Sequence, residues 1–246
     1  MSTDWMAVPD ESWHEEISQY LPRLEAAGMV GSRVRNAQHL YWPGVFWPDS
    51  PPSRPASIAV RLGIYSVGLF SIARLVRSAV REHWLAGLFV IVPLTTRFLF
   101  EIWGALHFAQ VTLSALLQGG DLAPLERRAM RLMLGSRSHV LLPWGQASEE
   151  SSFNVAEFVR TLRDVCPDAE DLYAFLSEAS HPSFVQNTYF QMAGPPAPNW
   201  RNARFREHAH ALLNKTLEIV EIASEGTEDD LLVILEEGTR FIQASS

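Results

Sequence analysis

Two sets of polar side chains interrupt the apolar pattern of this sequence. Arg97 and Glu101 lie four residues apart in its most apolar stretch, so on a helix they share one face. A buried ion pair adds little net stability over apolar packing. Such a pair is therefore either an internal clamp between helices or a site. Tyr173, Ser177 and His181 recur every four residues and form a second polar seam. It runs beside a packing stripe of Leu172, Phe175, Leu176 and Ala179. A phenol, a hydroxyl and an imidazole along one seam can bind an anion or move a proton. The same groups also suit a purely structural role, with His181 as a C-terminal cap and Tyr173 half-buried. Buried polar groups seek partners, so Arg97, Glu101, Tyr173, Ser177 and His181 are expected to converge at one end of the core.

A third set pairs arginine with histidine six or seven positions apart: Arg33/His39, Arg77/His83, Arg201/His208 and Arg204/His210. Arg201 and His208 are the alternative catalytic candidates, because a polar residue follows Arg201 and the pair opens a late helix. Nineteen arginines and eight histidines produce such spacings by chance, and a solvated helix start explains this pair equally well. No metal site is expected. There is no His-Glu-x-x-His and no cysteine pair, and His208 and His210 fall on different helix faces. Phosphate-cradling glycine loops and the Gly-x-Ser-x-Gly elbow are missing too, so no cofactor is implied. Cys166 sits between acids at 164 and 168. Their charge disfavours a thiolate nucleophile.

The elements that position these residues read as helices throughout. Helices are expected at about 10–28, with Pro22 bending or splitting the first, and at 56–82, capped by Ser57. A long apolar central helix is expected over 84–118, kinked at Pro93 and ended by Gly119-Gly120. Further helices are expected at 122–134, 154–165, 168–180, 200–224 and 228–242, the last two separated at Gly226-Thr227. No stretch alternates with period two, so no strand is expected. The fold class is all-α, a bundle of about seven helices around 84–118. Residues 1–55 form an N-terminal helix plus a loop rich in proline and tryptophan, and 56–246 form one continuous helical domain. The aromatics at 41–47 make that loop either a lid on the bundle or a contact to a second copy of the chain.

Composition narrows the function classes. The chain has 246 residues, 47% of them apolar, with a net charge of −8. That is enough to bury a core without staples. The negative charge argues against duplex DNA as a partner. It comes from the ends, however: residues 1–20 hold five acids, and 218–240 hold eight acids against one arginine. These acids read as solvated terminal helix faces. The middle is mildly basic, which leaves RNA or a small anionic ligand as a candidate partner. A single cysteine and an N-terminus without a basic or apolar leader point to the cytoplasm. Segment 84–118 has 23 apolar residues in 35. Pro93 interrupts it, and Arg97 and Glu101 sit near its middle, where each charge would cost roughly 2.5–3.5 kcal/mol in a bilayer. A membrane span is therefore disfavoured, and membrane association is the third functional reading.

The Arg-x-x-x-Glu helix followed by Tyr-x-x-x-Ser-x-x-x-His-Pro-Ser resembles a family of bacterial all-helical proteins defined as a domain of unknown function. The matching residues are Arg97, Glu101, Tyr173, Ser177 and His181, and the resemblance covers about 60–225. It implies a helical fold with a polar cluster and no assigned activity. The Arg–His spacings bear a weaker resemblance to helical ribonucleases of the higher-eukaryote-and-prokaryote nucleotide-binding (HEPN) type. That resemblance implies an RNA-cleaving toxin or phage-defence effector with Arg and His at the scissile phosphate. These residues leave both an enzyme and a ligand-binding protein open.

Overall fold

A computed structural model describes residues 18–29, 53–134, 153–181 and 203–245, together with Val185. Among them are seven α-helices, one short 3-10 turn and no strand, an all-α multi-helix fold. The helices are α1 (Leu21–Met29), α2 (Arg54–Leu85), α3 (Val92–Leu117), α4 (Leu122–Leu134), α5 (Val155–Thr161), α6 (Ala169–Ser180) and α7 (Ala203–Ala244). The proline- and tryptophan-rich loop at 41–52 lies outside the described residues, as do 10–17 of the expected first helix.

Local chemistry explains where the helices start and stop. The Ser53 hydroxyl accepts from the Ala56 N–H at 3.3 Å, so α2 begins ahead of the expected Ser57 cap. Pro55 falls in its first turn, where a missing N–H costs nothing. Pro22 and Pro93 likewise occupy the first turns of α1 and α3: Ser18 is helical, 19–20 form a turn and α1 starts at Leu21, a split just ahead of Pro22 as expected, whereas Pro93 kinks no helix. The expected helix over 84–118 is in fact the end of α2, a turn, and α3. Gly87 makes the break. It takes a left-handed φ of 69°; its N–H reaches the Trp84 carbonyl at 3.0 Å and the Leu88 N–H reaches that of His83 at 2.8 Å. This double closure caps the last turn of α2. Gly119 closes α3 in the same way. Asn154 and Glu157 form a reciprocal capping box on α5.

The expected break at Gly226-Thr227 does not occur, and α7 runs unbroken from Ala203 to Ala244. Gly226 serves packing instead. A methyl group there would fall inside the Trp103 indole, so glycine lets α7 approach α3 closely. Thr227 is fully buried and has no helix to cap.

The chain divides into two compact units. The first comprises 1–30, 73–100 and 168–225; the second comprises 31–72, 101–167 and 226–246. In the first unit, Tyr20, just ahead of α1, and Leu24 of α1 are buried. The Tyr20 ring meets Trp84 edge-on at 5.6 Å, and Trp84 meets Phe89 at 5.8 Å. Arg23 grips Glu221 through Nε and Nη2 at 2.8 and 2.6 Å. Leu172, Leu176 and Ala179 form the buried stripe of α6, as their spacing predicts.

In the second unit, Ile58, Leu62 and Phe70 of α2 share one core with Ala109, Leu113 and Leu116 of α3 and with Leu231 and Leu235 of α7. Phe108, Phe153 and Phe158 cluster beside it at 4.7–5.6 Å. The Arg131 guanidinium lies 3.8 Å over the Phe153 ring. The Glu126 carboxylate pairs with Arg54 at 2.6 Å and with Arg61 at 3.4 Å.

Candidate functional site

In the first unit, the buried stripes of two helices set the position of one polar pair. Leu99 and Phe100 face inward on α3, which leaves Arg97 half-buried at the edge. Leu172 and Leu176 face inward on α6, which puts Tyr173 at the corresponding edge. Arg97 Nη2 donates to the Tyr173 hydroxyl at 2.9 Å, and its guanidinium carbon lies 5.1 Å from the Tyr173 ring centroid. Phe100 stacks on the same ring at 6.4 Å. The phenol therefore holds the cation by its face and by its oxygen together. A guanidinium carries a planar fork of donors of the kind that suits a carboxylate or phosphate, and here Nη2 is engaged by Tyr173.

The other expected partners are placed differently. Ser177 is half-buried, one turn beyond Tyr173 on α6. His181 is exposed at the helix end, where its backbone N–H closes onto the Glu178 carbonyl at 3.2 Å. Eight residues of helix put it roughly 12 Å along the axis from Tyr173. Glu101 is half-buried and belongs to the second unit. The structure thus brings Arg97 and Tyr173 together and sets His181 apart in solvent.

Of the arginine–histidine spacings, Arg33/His39 and Arg201 lie outside the described residues. His208 is exposed on α7. Arg77 is buried and donates to the Ser224 carbonyl at 3.4 Å, an internal role. The Tyr20 hydroxyl and His210 Nδ1 share a hydrogen bond of 2.5 Å.

The second unit holds a cluster that the sequence reading passed over. Asp230 of α7 is buried and accepts twice. His107 Nδ1–H donates to Oδ1 at 2.9 Å, and Trp103 Nε1–H donates to Oδ2 at 3.1 Å. Both donors come from one face of α3, four residues apart. The carboxylate fixes the orientation of the imidazole through Nδ1 and turns Nε2 away from it. That Nε2 is itself sealed from solvent and has no hydrogen-bond partner among the described residues. The arrangement orients a buried imidazole and gives a substrate no way in among the described residues.

Compared with family models, curated proteins and solved structures, the chain matches none. The case for a site therefore rests on geometry. Among the described residues, no three His, Cys, Asp or Glu side chains gather in a way that could hold a metal. Arg97 is a partly accessible cation held by an aromatic ring, and the His107 imidazole is buried. An open groove in the second unit, lined by Ser114, Leu117, Gln118, Glu237, Arg240 and Phe241, has a charged rim and no buried polar group to direct a ligand.

The signal for the missed cluster was present in the sequence. Thr227, Asp230, Leu231, Ile234, Leu235 and Ile242 share one helical face. On such a face, an acid at 230 belongs with the core residues. Glu228 and Asp230 are 3% and 9% exposed, so the expectation that all the acids of 218–240 are solvated is wrong for these two. The helix runs on through Gly226, and that continuity turns them inward.

Proposed function

We propose that this protein is a helical binding protein for a small anion, with Arg97 as the recognising cation and Tyr173 as its positioning partner. The observation that carries the reading is the locked, half-buried guanidinium of Arg97 on the Tyr173 ring and hydroxyl. A fixed cation at a partly desolvated edge attracts an anion more strongly than one in bulk water. It also loses less side-chain freedom on binding. The resemblance to the Arg-x-x-x-Glu family is consistent with such a polar cluster and adds no activity to it.

The test is calorimetric titration of the whole chain with inorganic phosphate and pyrophosphate at low salt. Saturable binding is expected, lost in Arg97→Gln and weakened several-fold in Tyr173→Phe. Absence of binding, or binding unchanged in Arg97→Gln, refutes the reading. The ribonuclease alternative makes a separate prediction, cleavage of total RNA that falls in His181→Ala or His208→Ala. No geometry among the described residues favours it over anion binding.

A further inference from the structure

The anion reading leaves one surface of the first unit unexplained. Nine large apolar side chains are exposed among the described residues, and five of them fall between 73 and 100: Leu75, Leu85, Leu88, Leu94 and Phe98. Leu75 is 71% exposed. Leu85 ends α2, Leu88 lies in the connecting turn, and Leu94 sits in the first turn of α3. Leu94 and Phe98 are one turn apart, so they share a face. They also bracket Arg97 along the helix. No charged residue occurs from 84 to 96. The end where α2 turns into α3 is thus an uncharged tip that leaves leucines in water, where scattered single exposures would be ordinary.

Charge indicates what the tip meets. Residues 73–100 carry four arginines, Arg74, Arg77, Arg81 and Arg97, against Glu82 alone, a net +3 in a chain of net −8. Arg77 is buried, and Arg81 pairs with Glu82 at 3.1 Å and with Glu25 at 3.8 Å; Arg74 is exposed and Arg97 partly so. An apolar tip with Arg97 at its margin matches the two layers of an anionic bilayer surface, acyl chains below and phosphates above. Arginine stems lie along apolar surface while their heads reach the phosphates.

Helices α2 and α3 are each long and apolar enough to cross a membrane, yet half and two thirds of their most apolar windows are buried inside the protein. The burial of those windows suits a soluble core rather than a span. The exposed tip suits contact with the membrane interface.

We propose that the α2–α3 tip docks on an anionic membrane surface, with Leu85, Leu88, Leu94 and Phe98 entering the interface. The anion met by Arg97 is then a lipid headgroup phosphate. This rests on the anion reading of Arg97 and adds its source.

The test is co-sedimentation of the full chain with vesicles of phosphatidylcholine alone and of phosphatidylcholine mixed with phosphatidylglycerol. Binding is expected to the mixed vesicles, weaker to the neutral ones, and to fall as salt rises. Leu94→Ser with Phe98→Ser, and separately Leu85→Ser with Leu88→Ser, should each lower partitioning about tenfold or more. All four side chains are exposed, so the circular dichroism and melting temperature should hold. Arg97→Gln should weaken binding to mixed vesicles. Failure to bind vesicles, or binding indifferent to the apolar pairs or to Arg97→Gln, overturns the proposal. So does a dimer, seen by ultracentrifugation and dissociated by those pairs, in protein that ignores vesicles. Binding of free phosphate without vesicle binding sinks the docking and spares the anion site. Arg97-dependent vesicle binding without free-phosphate binding supports the docking and removes the soluble anion.

Discussion

Removing the Asp230 carboxylate should expose how the second unit is held together. Asp230→Ala deletes two hydrogen bonds, from His107 Nδ1 at 2.9 Å and Trp103 Nε1 at 3.1 Å. It takes the carboxylate acceptor away from both buried donors. Bonds to a charged group are each worth about 1.5–3 kcal/mol, and a stranded donor bears its full desolvation cost. Two such bonds together put the loss at about 3–6 kcal/mol. We expect a loss in that range. The urea dependence grows with chain size, and at its upper end of about 3 kcal/mol per molar the unfolding midpoint should fall by about 1–2 M. The double variant His107→Leu, Asp230→Leu removes donor and acceptor together, so only the Trp103 N–H is orphaned. It should cost about 1–3 kcal/mol, less than the single change. Urea titrations followed by tryptophan fluorescence and by circular dichroism read both variants. A loss below about 1 kcal/mol in Asp230→Ala, or a double variant as damaged as the sum of its single changes, would refute the view that this carboxylate pins α7 to α3.

Two further outcomes follow from local geometry. Gly226→Ala should lower the melting temperature despite alanine's better helix propensity, because the methyl meets the Trp103 indole and overpacking costs about 1–3 kcal/mol. Gly68→Ala on α2 has open space around it and should raise stability by about 0.5–1 kcal/mol. A melting temperature that rises equally in both would show that Gly226 has no packing role. Glu126 is the pH probe. The Arg54 hydrogen bond, reinforced by the charges of Arg54 and Arg61, holds its carboxyl below the usual carboxylate range. Its stabilisation is therefore present above the ordinary value of about 4.3 and is lost as pH falls through the lowered one. The stability gap between wild type and Glu126→Gln should close on acidification, as read by urea midpoints at neutral and acid pH. A gap that widens in acid refutes the assignment.

Much of the fold was legible in the sequence because helix periodicity and punctuation are local signals. The α4 range matches its expected 122–134, and α6 begins one residue inside its expected start. The errors came from residues whose meaning depends on what packs against them. Pro93 reads as a kink inside an apolar run, but it becomes a first-turn residue once Gly87 has ended α2. The sequence does not rank a glycine six residues upstream above a proline. Gly226 reads as a break, yet the Trp103 ring that explains it is 123 positions away.

The candidate site divides along the same line. Arg97 and Tyr173 could be named because each lies at the polar margin of a clear apolar stripe, and the two margins meet at 2.9 Å. His181 shares that seam by spacing, but a C-terminal cap belongs to solvent, and the helix axis carries it away from the guanidinium. Asp230 was hidden by its neighbours, since an acid among eight looks like surface until its helical register is read. Its burial beside a histidine and a tryptophan resembles a catalytic arrangement, yet a sealed Nε2 cannot meet a substrate. Accessibility, more than residue type, separates the two clusters. The buried carboxylate, with its imidazole and indole donors, ties α7 to α3 in the core of the second unit. The oriented cation, at the edge of the first unit beside exposed leucines and Phe98, is the group assigned to the proposed anion site.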